Sequence, residues 1–455
     1  MGASPLSENT IISRVEKALG PGRISHWEEL PQAQRGQLGG AVGLSEQAAN
    51  SRQALGVVYP ETQDELAETL ALSQAENWSI LPFGNGTKLA WGGLATSVQI
   101  GVSTSRLNRL IEHAVGDLTL TAEAGATVSA LTLPLQEQRQ CFGFNPAYPE
   151  RATLGGVVAT ADTGWMRQRY GGIRDMLIGV SLVRADGQRA KAGGRVVKNV
   201  AGYDLMKLMT GSWGSLAVIS EVTFRLYPQT EASKTLVVWG EADSLALLLS
   251  QVLKSGLMPT GLSLVNRRIL SALGYGPGGA FLGLLVRFQS VAVGVETQAE
   301  MMAQTVDGLG LSMAIATDKT EQALWQQLGA LRERDTGGES GESGDRVTAK
   351  VGLLPANAVA TLVQLEAIAD VTAAVTHVSS GLGWIGLNLR SAAQVGPIRD
   401  LYHRQGGFLS NLEAPSAWKS DLDIWGYSGN TMPLMRRIKQ QFDPERRLSP
   451  GRFLL

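Results

Sequence analysis

The chain has 455 residues, enough for two or three domains of ordinary size. Its formal net charge is −1, so the composition offers no broad basic surface for nucleic acid or anionic lipid. It contains one cysteine, Cys141, and four histidines that are scattered along the sequence. This excludes a disulfide framework and a cysteine-ligated iron–sulfur cluster, and it argues against a zinc site built from His and Cys.

The N-terminal stretch MGASPLSENT has neither the basic nor the apolar region of a signal peptide. Leu6 stands where a myristoylation signal needs Ser or Thr. No apolar run reaches the roughly 18 residues that a membrane span needs. We therefore expect a cytoplasmic protein without a membrane span of its own, which would reach a membrane only through partners.

The first half of the chain predicts alternating strands and helices. Residues 1–50 are expected to be helical and then loop-like. Thr62 and Glu65 form a capping box that starts a helix ending near Trp78. Strands are expected at SILPF (79–83), 97–102 and 118–122, and a helix begins near Thr127. This β–α–β pattern precedes residue 140.

From residue 145 to Pro228 the chain is rich in glycine and strand-like, with a hairpin predicted around the Ala-Asp-Gly turn at 185–187. Repeated strand–helix units follow, with strands expected at 235–239, 260–265, 281–288, 311–316, 347–353, 372–378 and 384–389. The stretch 335–345 has no large apolar residue and is expected to be a surface loop. The resulting domains are an N-terminal extension (1–50), a first domain (51–229), a second domain (230–415) and a C-terminal segment (416–455).

The stretch ILPFGNGTKLAWGG, residues 80–93, resembles a phosphate-binding turn. It lacks the spacing of a P-loop, and Leu89 stands where a Rossmann fingerprint needs its third glycine. Gly and Asn readily take positive φ angles, and successive amides in such a turn can form a concave nest for an anion. Taken alone, the stretch fits an anion nest and an ordinary hairpin turn equally well.

Two further glycine-rich stretches, 145–175 and 193–222, would let the backbone lie close to an extended ligand or to a neighbouring sheet. A G-x-G-x-x-G pattern at 381–386 is followed by a strand-like segment and not by a helix. We therefore predict a β-hairpin there, not a dinucleotide site.

Three patterns occur in a fixed order: P-x-G-x-G-T at 82–87, T-x-G-G-x-x-A at 153–159, and K-N-x-A-G-Y-D-L-x-K-L at 198–208 with G-S-x-G-x-L-x-x-I at 211–219. In this order they resemble the vanillyl-alcohol oxidase superfamily, whose FAD-binding unit is the PCMH-type domain. Within it, the likeness is greatest to the FAD-binding E subunits of bacterial glycolate oxidase (glycolate dehydrogenase). FDPERRLSPGR near the C-terminus resembles the family's closing segment, with Ser449 in place of the usual Asn.

This resemblance implies an α+β protein with a two-lobed PCMH-type FAD-binding domain and a ferredoxin-like α+β cap domain. It implies non-covalent FAD, because no His or Cys stands at a matching tether position. The 84–87 turn would hold the FAD pyrophosphate. The residues that the resemblance assigns to FAD binding are Pro82, Gly84, Asn85, Gly86, Thr87, Lys88, Thr153, Leu154, Gly155, Gly156, Ala159, Thr160, Gly164 and Ile219.

The sequence departs from relatives that oxidise 2-hydroxy acids. They carry an H-x-G-D-G-N-x-H metal-binding segment, and THVSSGLGWIGLNL offers only His377, with Trp384 near the second His position. One His cannot hold a divalent metal, so we predict no metal site. No catalytic pair is recognisable. The remaining candidate groups are Arg195, Lys198, Tyr203, Lys207, Arg287, His377 and His403.

The expected function is therefore that of the FAD-binding subunit of a glycolate oxidase-type complex, which oxidises glycolate to glyoxylate. The partners would be a second, catalytic flavin subunit and an iron–sulfur subunit, with this chain relaying electrons. Two alternatives stay open: a self-sufficient 2-hydroxy-acid (D-lactate-like) dehydrogenase, and a mainly structural or assembly subunit.

Overall fold

The computed structural model describes residues 8–43, 56–194, 203–277, 281–335, 346–427 and 429–453. The helices are α1 (Glu8–Leu19), α2 (Gln32–Ala41), α3 (Gln63–Ala75), α4 (Val128–Glu137), α5 (Leu154–Thr160), α6 (Arg167–Tyr170), α7 (Ile173–Met176), α8 (Leu205–Met209), α9 (Ala242–Lys254), α10 (Arg267–Ala272), α11 (Ala292–Gly308), α12 (Asp318–Asp335), α13 (Ala358–Ile368), α14 (Val395–Arg404), α15 (Ser416–Lys419) and α16 (Thr431–Phe442).

The strands are β1 (Ile24–Ser25), β2 (Gly56–Val58), β3 (Ile80–Phe83), β4 (Ile100–Ser103), β5 (Leu110–Ala114), β6 (Thr119–Glu123), β7 (Gln140–Cys141), β8 (Leu177–Val183), β9 (Arg189–Gly193), β10 (Val218–Arg225), β11 (Tyr227–Pro228), β12 (Ala232–Gly240), β13 (Gly261–Val265), β14 (Leu282–Ser290), β15 (Ser312–Thr317), β16 (Arg346–Gly352), β17 (Asp370–His377), β18 (Leu382–Asn388) and β19 (Phe408–Glu413).

The first domain has two lobes, each built on its own sheet. In the first lobe β2, β4 and β3 run parallel, with β1 antiparallel at the edge. Helices α1 and α3 cover this sheet with buried side chains such as Val15 and Leu66. The second lobe is an antiparallel sheet in the order β5-β6-β10-β8-β9. Helix α5 packs against β10, and the two lobes meet where Ile80 of β3 packs in one core with Val183 of β8 and Val218 of β10.

The second domain is one sheet of eight strands in the order β15-β12-β14-β13-β17-β18-β16-β19. Its first half has the chain order β12-α9-β13-β14-α11-β15, and its second half has β16-α13-β17-β18-α14-β19. Each half follows the same βαββαβ connectivity and the same spatial order of strands, fourth-first-third-second, which is a ferredoxin-like unit. The halves join through antiparallel pairing of β13 with β17.

The sheet of the second domain has two different faces. Helices α9, α11, α13 and α14 cover one face and form a large apolar core with it. The other face carries Val237, Val375 and Trp384, and it packs against α10, α12 and the indole of Trp165 from the first domain. Because this face looks toward the first domain, side chains on it can reach a site between the two domains.

The C-terminal segment returns to the first domain. The amide of Ile80 donates to the carbonyl of Arg447, and the amide of Ser449 donates to the carbonyl of Ile80. Lys439 is buried and donates to the carboxylate of Asp443 and to the carbonyl of Ser215. Residues 447–449 therefore extend the sheet that ends in the 84–88 turn.

The α+β fold class is confirmed, as are the hairpin of β8 and β9 and the β17–β18 hairpin that carries the G-x-G-x-x-G pattern. The duplication within the second domain was not predicted, because it depends on which strands pair. Strand β19 was missed as well. Asp335 belongs to α12, and the rest of the expected surface loop, 336–345, lies outside the described residues. Within the described ranges no helix combines the length and apolarity needed to cross a membrane.

Candidate functional site: a FAD cleft beside a cationic chamber

The turn that follows β3 presents free backbone amides. Gly86 has a φ of +77°, and a Cβ there would lie 2.6 Å from Oε1 of Gln37. Among the residues that the structure describes, no group accepts a hydrogen bond from the amides of residues 85–88. The Asn85 side chain is committed elsewhere, since it donates to the carbonyl of Arg151 at 2.9 Å. The turn therefore has the form of an anion nest.

Position 84 has no room for a side chain, because the side chain of Thr153 lies against it. A Cβ at this position would lie 2.1 Å from Oγ1 of Thr153 and 2.7 Å from its Cγ2. Thr153 in turn caps α5, because its Oγ1 accepts from the amide of Gly156 at 3.3 Å. The first and second glycine patterns thus meet through one Gly–Thr contact.

The second glycine pattern contributes a surface and not amide donors. The amides of Leu154 and Gly155 donate to the carbonyls of Ala126 and Ala124, at 2.9 and 2.8 Å. A Cβ on Gly155 would press on Ala124 at 2.8 Å, so this glycine serves close packing of α5 on β6. On Gly156 a Cβ would meet only Oγ1 of Thr153, at 3.1 Å, because that side is open to the cleft.

Twelve of the fourteen residues predicted for FAD binding line one cleft between the two lobes. Leu154 is fully buried in the core of the second lobe, and Gly164 lies in the neighbouring chamber described below. The twelve predicted residues that line the cleft are Pro82, Gly84, Asn85, Gly86, Thr87, Lys88, Thr153, Gly155, Gly156, Ala159, Thr160 and Ile219. Beside the last of these, strand β10 shifts its pairing register between Ile219 and Glu221.

Arg452 is a cleft residue that sequence reasoning missed. Its guanidinium donates to the carbonyls of Leu89 and Lys88, both at 2.8 Å, and so fixes the end of the phosphate-type turn. Burial lowers the pKa of Arg452 to about 10. Other unpredicted lining residues are Phe83, Leu89, Thr104, Trp213, Gly214, Ala217 and Val218. Trp213 has a φ of +56°, which is rare for a bulky residue.

A second cavity, here called the cationic chamber, lies between the first domain and the strands β16 to β18. Trp384 and Lys350 are direct cross-strand neighbours on its wall. Thr160 lines both the cleft and the chamber, so the two adjoin at this residue. The chamber is lined by Trp91, Thr160, Ala161, Asp162, Thr163, Gly164, Arg167, Arg332, Lys350, His377, Leu382, Gly383, Trp384 and Leu412.

Asp162 is the one acid among those lining residues, and it is held between two cations. Its Oδ2 lies 2.9 Å from Nζ of Lys88, and its Oδ1 accepts from Nη2 of Arg332 at 2.7 Å. Burial opposes ionisation of Asp162, but the charges of Arg332 and Lys88 outweigh it and hold its pKa far below the usual range. The Lys88 ammonium is therefore engaged with protein, while its backbone lines the cleft.

Three further basic groups face the chamber. Burial lowers the pKa of Lys350 and of Arg167, and no acid pairs with Lys350 among the ion pairs of the described residues. His377 has a pKa lowered to about 3 by burial and by the nearby charge of Arg332, so it is neutral at pH 7. Its Nδ1 lies 3.0 Å from Oγ of Ser263. The chamber thus carries more positive than negative charge and suits a small anion.

The remaining catalytic candidates lie elsewhere. Arg287 packs over the rings of Trp165 and Trp325 and is paired with the buried Glu321 at 3.0 Å. Lys207 pairs with Asp204 and lines the aromatic cavity described below, and Tyr203 is 93% exposed. His403 lies in the last turn of α14, away from the chamber.

Arg195 and Lys198 lie outside the described residues. In the part of the chain that the structure covers, no three His, Cys, Asp or Glu side chains come together as a metal site would need.

An aromatic cavity adjoins both sites at Thr160 and Ala161. Trp213 lines both this cavity and the cleft, and it meets Trp425 edge-on with ring centroids 4.9 Å apart. Phe453 packs on Trp425 at 4.7 Å. A flat aromatic ring therefore has apolar space at the point where cleft and chamber meet.

Comparison with known families agrees with this geometry. Residues 54–193 match the family described as "FAD binding domain", and residues 426–453 match "FAD linked oxidases, C-terminal domain". The chain therefore contains the FAD-binding domain and the closing segment of FAD-linked oxidases, and FAD is its cofactor. Its fold is that of the PCMH-type flavoproteins: p-cresol methylhydroxylase superimposes with a TM-score of 0.76 at 15% identity, covering 99% of this chain and 97% of that one.

Curated relatives include two glycolate oxidase subunits. The chain is 28% identical over 215 residues to subunit GlcD of Bacillus subtilis, covering 47% of this chain and 46% of the relative. It is 33% identical over 154 residues to subunit GlcE of Escherichia coli, covering 34% and 43%. A D-lactate dehydrogenase of Archaeoglobus fulgidus is 33% identical over 184 residues, covering 40% and 41%. Each alignment spans less than half the length of the relative.

The residues present fit FAD. The free amides at 85–88 suit its pyrophosphate, the small side chains of α5 let an extended ligand lie against the backbone, and the apolar space beside Trp213 suits a flat ring.

Proposed function

We propose that this chain is the FAD-binding part of a glycolate oxidase-type oxidoreductase that converts a small 2-hydroxy acid to the 2-oxo acid. The observation that carries the proposal is the cationic chamber, which adjoins at Thr160 the cleft where FAD is expected. When bound, FAD would accept the hydride that leaves C2 of the hydroxy acid.

Different side chains of the chamber would contact different groups of such an acid. Arg332 and Lys350 are the groups that would hold the carboxylate, since charge-assisted hydrogen bonds of this kind contribute most to anion binding. His377 is neutral and can accept a hydrogen bond from the hydroxyl group, but its low pKa makes it a weak base. Trp91, Trp384 and Leu412 form apolar walls that restrict the chamber to small ligands and exclude water.

The subunit role follows from the same proposal. With no metal or iron–sulfur cluster of its own predicted from the sequence, the chain would pass electrons to partners: a second flavin subunit and an iron–sulfur subunit. FAD would be held without a covalent bond, because Cys141 lies in β7, paired with β11, and does not line the cleft. Acid precipitation of the purified protein would leave the flavin in the supernatant; flavin in the pellet would contradict this part.

The chamber also favours a second candidate, a self-sufficient 2-hydroxy-acid dehydrogenase, because the cationic groups belong to this chain alone. Anaerobic addition of glycolate or D-lactate should bleach the purified yellow chain near 450 nm, because the hydride would leave the acid in this chain's chamber; absence of bleaching would contradict the proposal. Re-oxidation of the bleached flavin by co-purified partner subunits, and only slowly by a soluble electron acceptor, supports the subunit role. Equally fast re-oxidation by a soluble acceptor without partners supports the second candidate. Colourless protein that still binds partners would favour an assembly role.

The chamber itself is tested with oxalate, an unreactive anion. Replacing one cation by a neutral side chain, Arg332→Met or Lys350→Met, should raise the dissociation constant of oxalate by about 10- to 100-fold, the loss expected for one charge-assisted contact. FAD content should stay the same. Lys191→Met, which removes an exposed lysine paired with Glu221, is the matched control and should change neither quantity. Unchanged oxalate binding in both chamber variants would sink the proposal.

A further inference from the structure

Asp162 connects three separate parts of the molecule. Lys88 belongs to the turn after β3, Asp162 follows α5, and Arg332 comes from α12 of the second domain. The carboxylate contacts Lys88 at 2.9 Å and Arg332 at 2.7 Å, and its Oδ2 also accepts from the amide of Ala147 at 2.8 Å. Asp162 is 5% exposed and Lys88 7%, so these contacts are shielded from water.

The indole of Trp91 completes the arrangement. The Lys88 ammonium lies 5.4 Å from its ring centroid, and the Arg332 guanidinium lies 5.6 Å from the same centroid. The two cations therefore share one aromatic neighbour and one carboxylate. Without the carboxylate they would repel each other in a buried place, and the Arg332 side chain would lose the acceptor that holds Nη2.

Asp162 carries a negative charge, although it lies on the wall of a chamber that is proposed to bind an anion. A negative charge on the wall weakens anion binding through space. A carboxylate in this place is useful to an anion site only if it does something else. The geometry offers one such role, which is to fix the guanidinium of Arg332 toward the chamber.

We propose that Asp162 is a positioning residue: it orients Arg332 for the carboxylate of the substrate and ties that arginine to the FAD-binding turn through Lys88. The inference rests on the proposed function, since it assumes that the chamber binds a small carboxylate. It also assigns Lys88 a role beyond its backbone, as the cation that balances Asp162 on the cofactor side.

The positioning role and a mere charge effect predict opposite results. If Asp162 acted only through its charge, Asp162→Asn would make the chamber more positive and tighten oxalate binding. If Asp162 positions Arg332, the same change should weaken binding. The double variant Lys88→Met/Asp162→Asn removes one charge of each sign, so the local net charge stays the same. This variant also remains informative if the single variant does not fold.

For the FAD-loaded double variant we expect the oxalate dissociation constant to rise at least tenfold, measured by calorimetry. In glycolate turnover with partners present, KM should rise while kcat stays within about twofold. Such a split is expected when the lost group holds the substrate carboxylate equally in the ground and transition states.

Glu333→Gln is the control for a purely structural role. The carboxylate of Glu333 accepts from the amide of Tyr148 at 2.7 Å and so anchors the same end of α12 to the first domain without contacting Asp162. This variant should lower the unfolding temperature and leave oxalate binding unchanged.

Equal or tighter oxalate binding by the double variant would overturn the inference, as would an equal loss of binding in Glu333→Gln. Failure of the wild-type chain to bind oxalate would remove the proposed function and this inference together. Loss of binding in Arg332→Met with no loss in the double variant would remove only the inference.

Discussion

The cleft proposed for FAD and the cationic chamber share Thr160, but they are made of different parts of the chain. The cleft is formed by backbone: free amides at residues 85–88, a glycine forced by Thr153, and small side chains on α5. The chamber is formed by long charged side chains that come from both domains. A backbone site needs glycine at fixed places and so leaves a readable pattern, whereas converging side chains leave none.

The strongest test of the cleft is to add a side chain to its turn. Gly84→Val should abolish stoichiometric FAD binding, because the new Cβ would collide with Thr153, and Gly86→Val should do the same by forcing valine to a φ near +77°. The ratio of flavin absorbance to protein measures the loss. Gly116→Val, at a position with no atom within 4 Å of an added Cβ, is the control. Normal FAD content in both cleft variants would show that the turn does not hold the cofactor.

The chamber should depend on the contact between the domains more than the cleft does. Arg287→Met removes the cation that lies over Trp165 and Trp325 and leaves the buried Glu321 without its cationic partner, which should cost about 3 kcal/mol of unfolding free energy. Oxalate binding should weaken, while FAD content is kept. Arg267→Met, which breaks an exposed pair with Glu366, should cost less than about 1 kcal/mol. Equal effects of the two variants would contradict this dependence.

Glu413 is the last residue of β19, where the second domain is followed by the C-terminal segment, and its protonation should make the stability of this region depend on pH. Burial raises the pKa of Glu413 to about 7, against the opposing charge of Lys419. Because the pKa of Glu413 is higher in the folded protein than its ordinary value of 4.5, this carboxyl group affects the free energy of unfolding. Its stabilising contribution is fully present below pH 4.5 and is lost as the pH rises through about 7. Glu413→Gln should therefore be more stable than wild type by about 2 kcal/mol at pH 8, with the difference vanishing near pH 4.5. Urea unfolding at the two pH values measures this, and a gain that is independent of pH would refute the assignment.

The smallest effect concerns a feature readable from sequence alone. Thr62 caps α3, since its side chain accepts from the amide of Glu65 at 3.1 Å. Thr62→Ala should lower the unfolding free energy by about 1 kcal/mol. FAD content and oxalate binding should not change, because α3 lines neither site. Thr62→Ser, which keeps the hydroxyl, should restore stability; no difference between the two variants would argue against the cap.

Sequence patterns predicted most of the strands and the α+β class because hydrophobic alternation and turn residues act over a few neighbours. They also pointed to twelve residues that line the cleft. Leu154 was grouped with them since it lies inside the T-x-G-G pattern, but its side chain points into the core of the second lobe. The duplicated sheet of the second domain was missed because β13–β17 pairing joins segments about 110 residues apart.

The residues that line the chamber were even harder to predict from the sequence. Asp162, Arg167, Arg332 and Lys350 were not singled out, and of the catalytic candidates only His377 reached the chamber. An isolated acid within the small-residue run ATADTG was the available signal for Asp162. Nothing in the sequence separates Arg332 from the other arginines, because its role depends on where α12 meets the first domain.

What the sequence by itself determined is therefore the glycine turn at 84–88 proposed to bind FAD, its order with the other glycine patterns, and the class of fold. These depend on local backbone conformation, which glycine, capping residues and turn residues specify directly. The tertiary structure decided which charges face one another. Lys88 and Arg332 lie 244 positions apart in the sequence, and only the packing of the second domain on the first brings Arg332 within 3 Å of the Asp162 carboxylate that Lys88 also contacts.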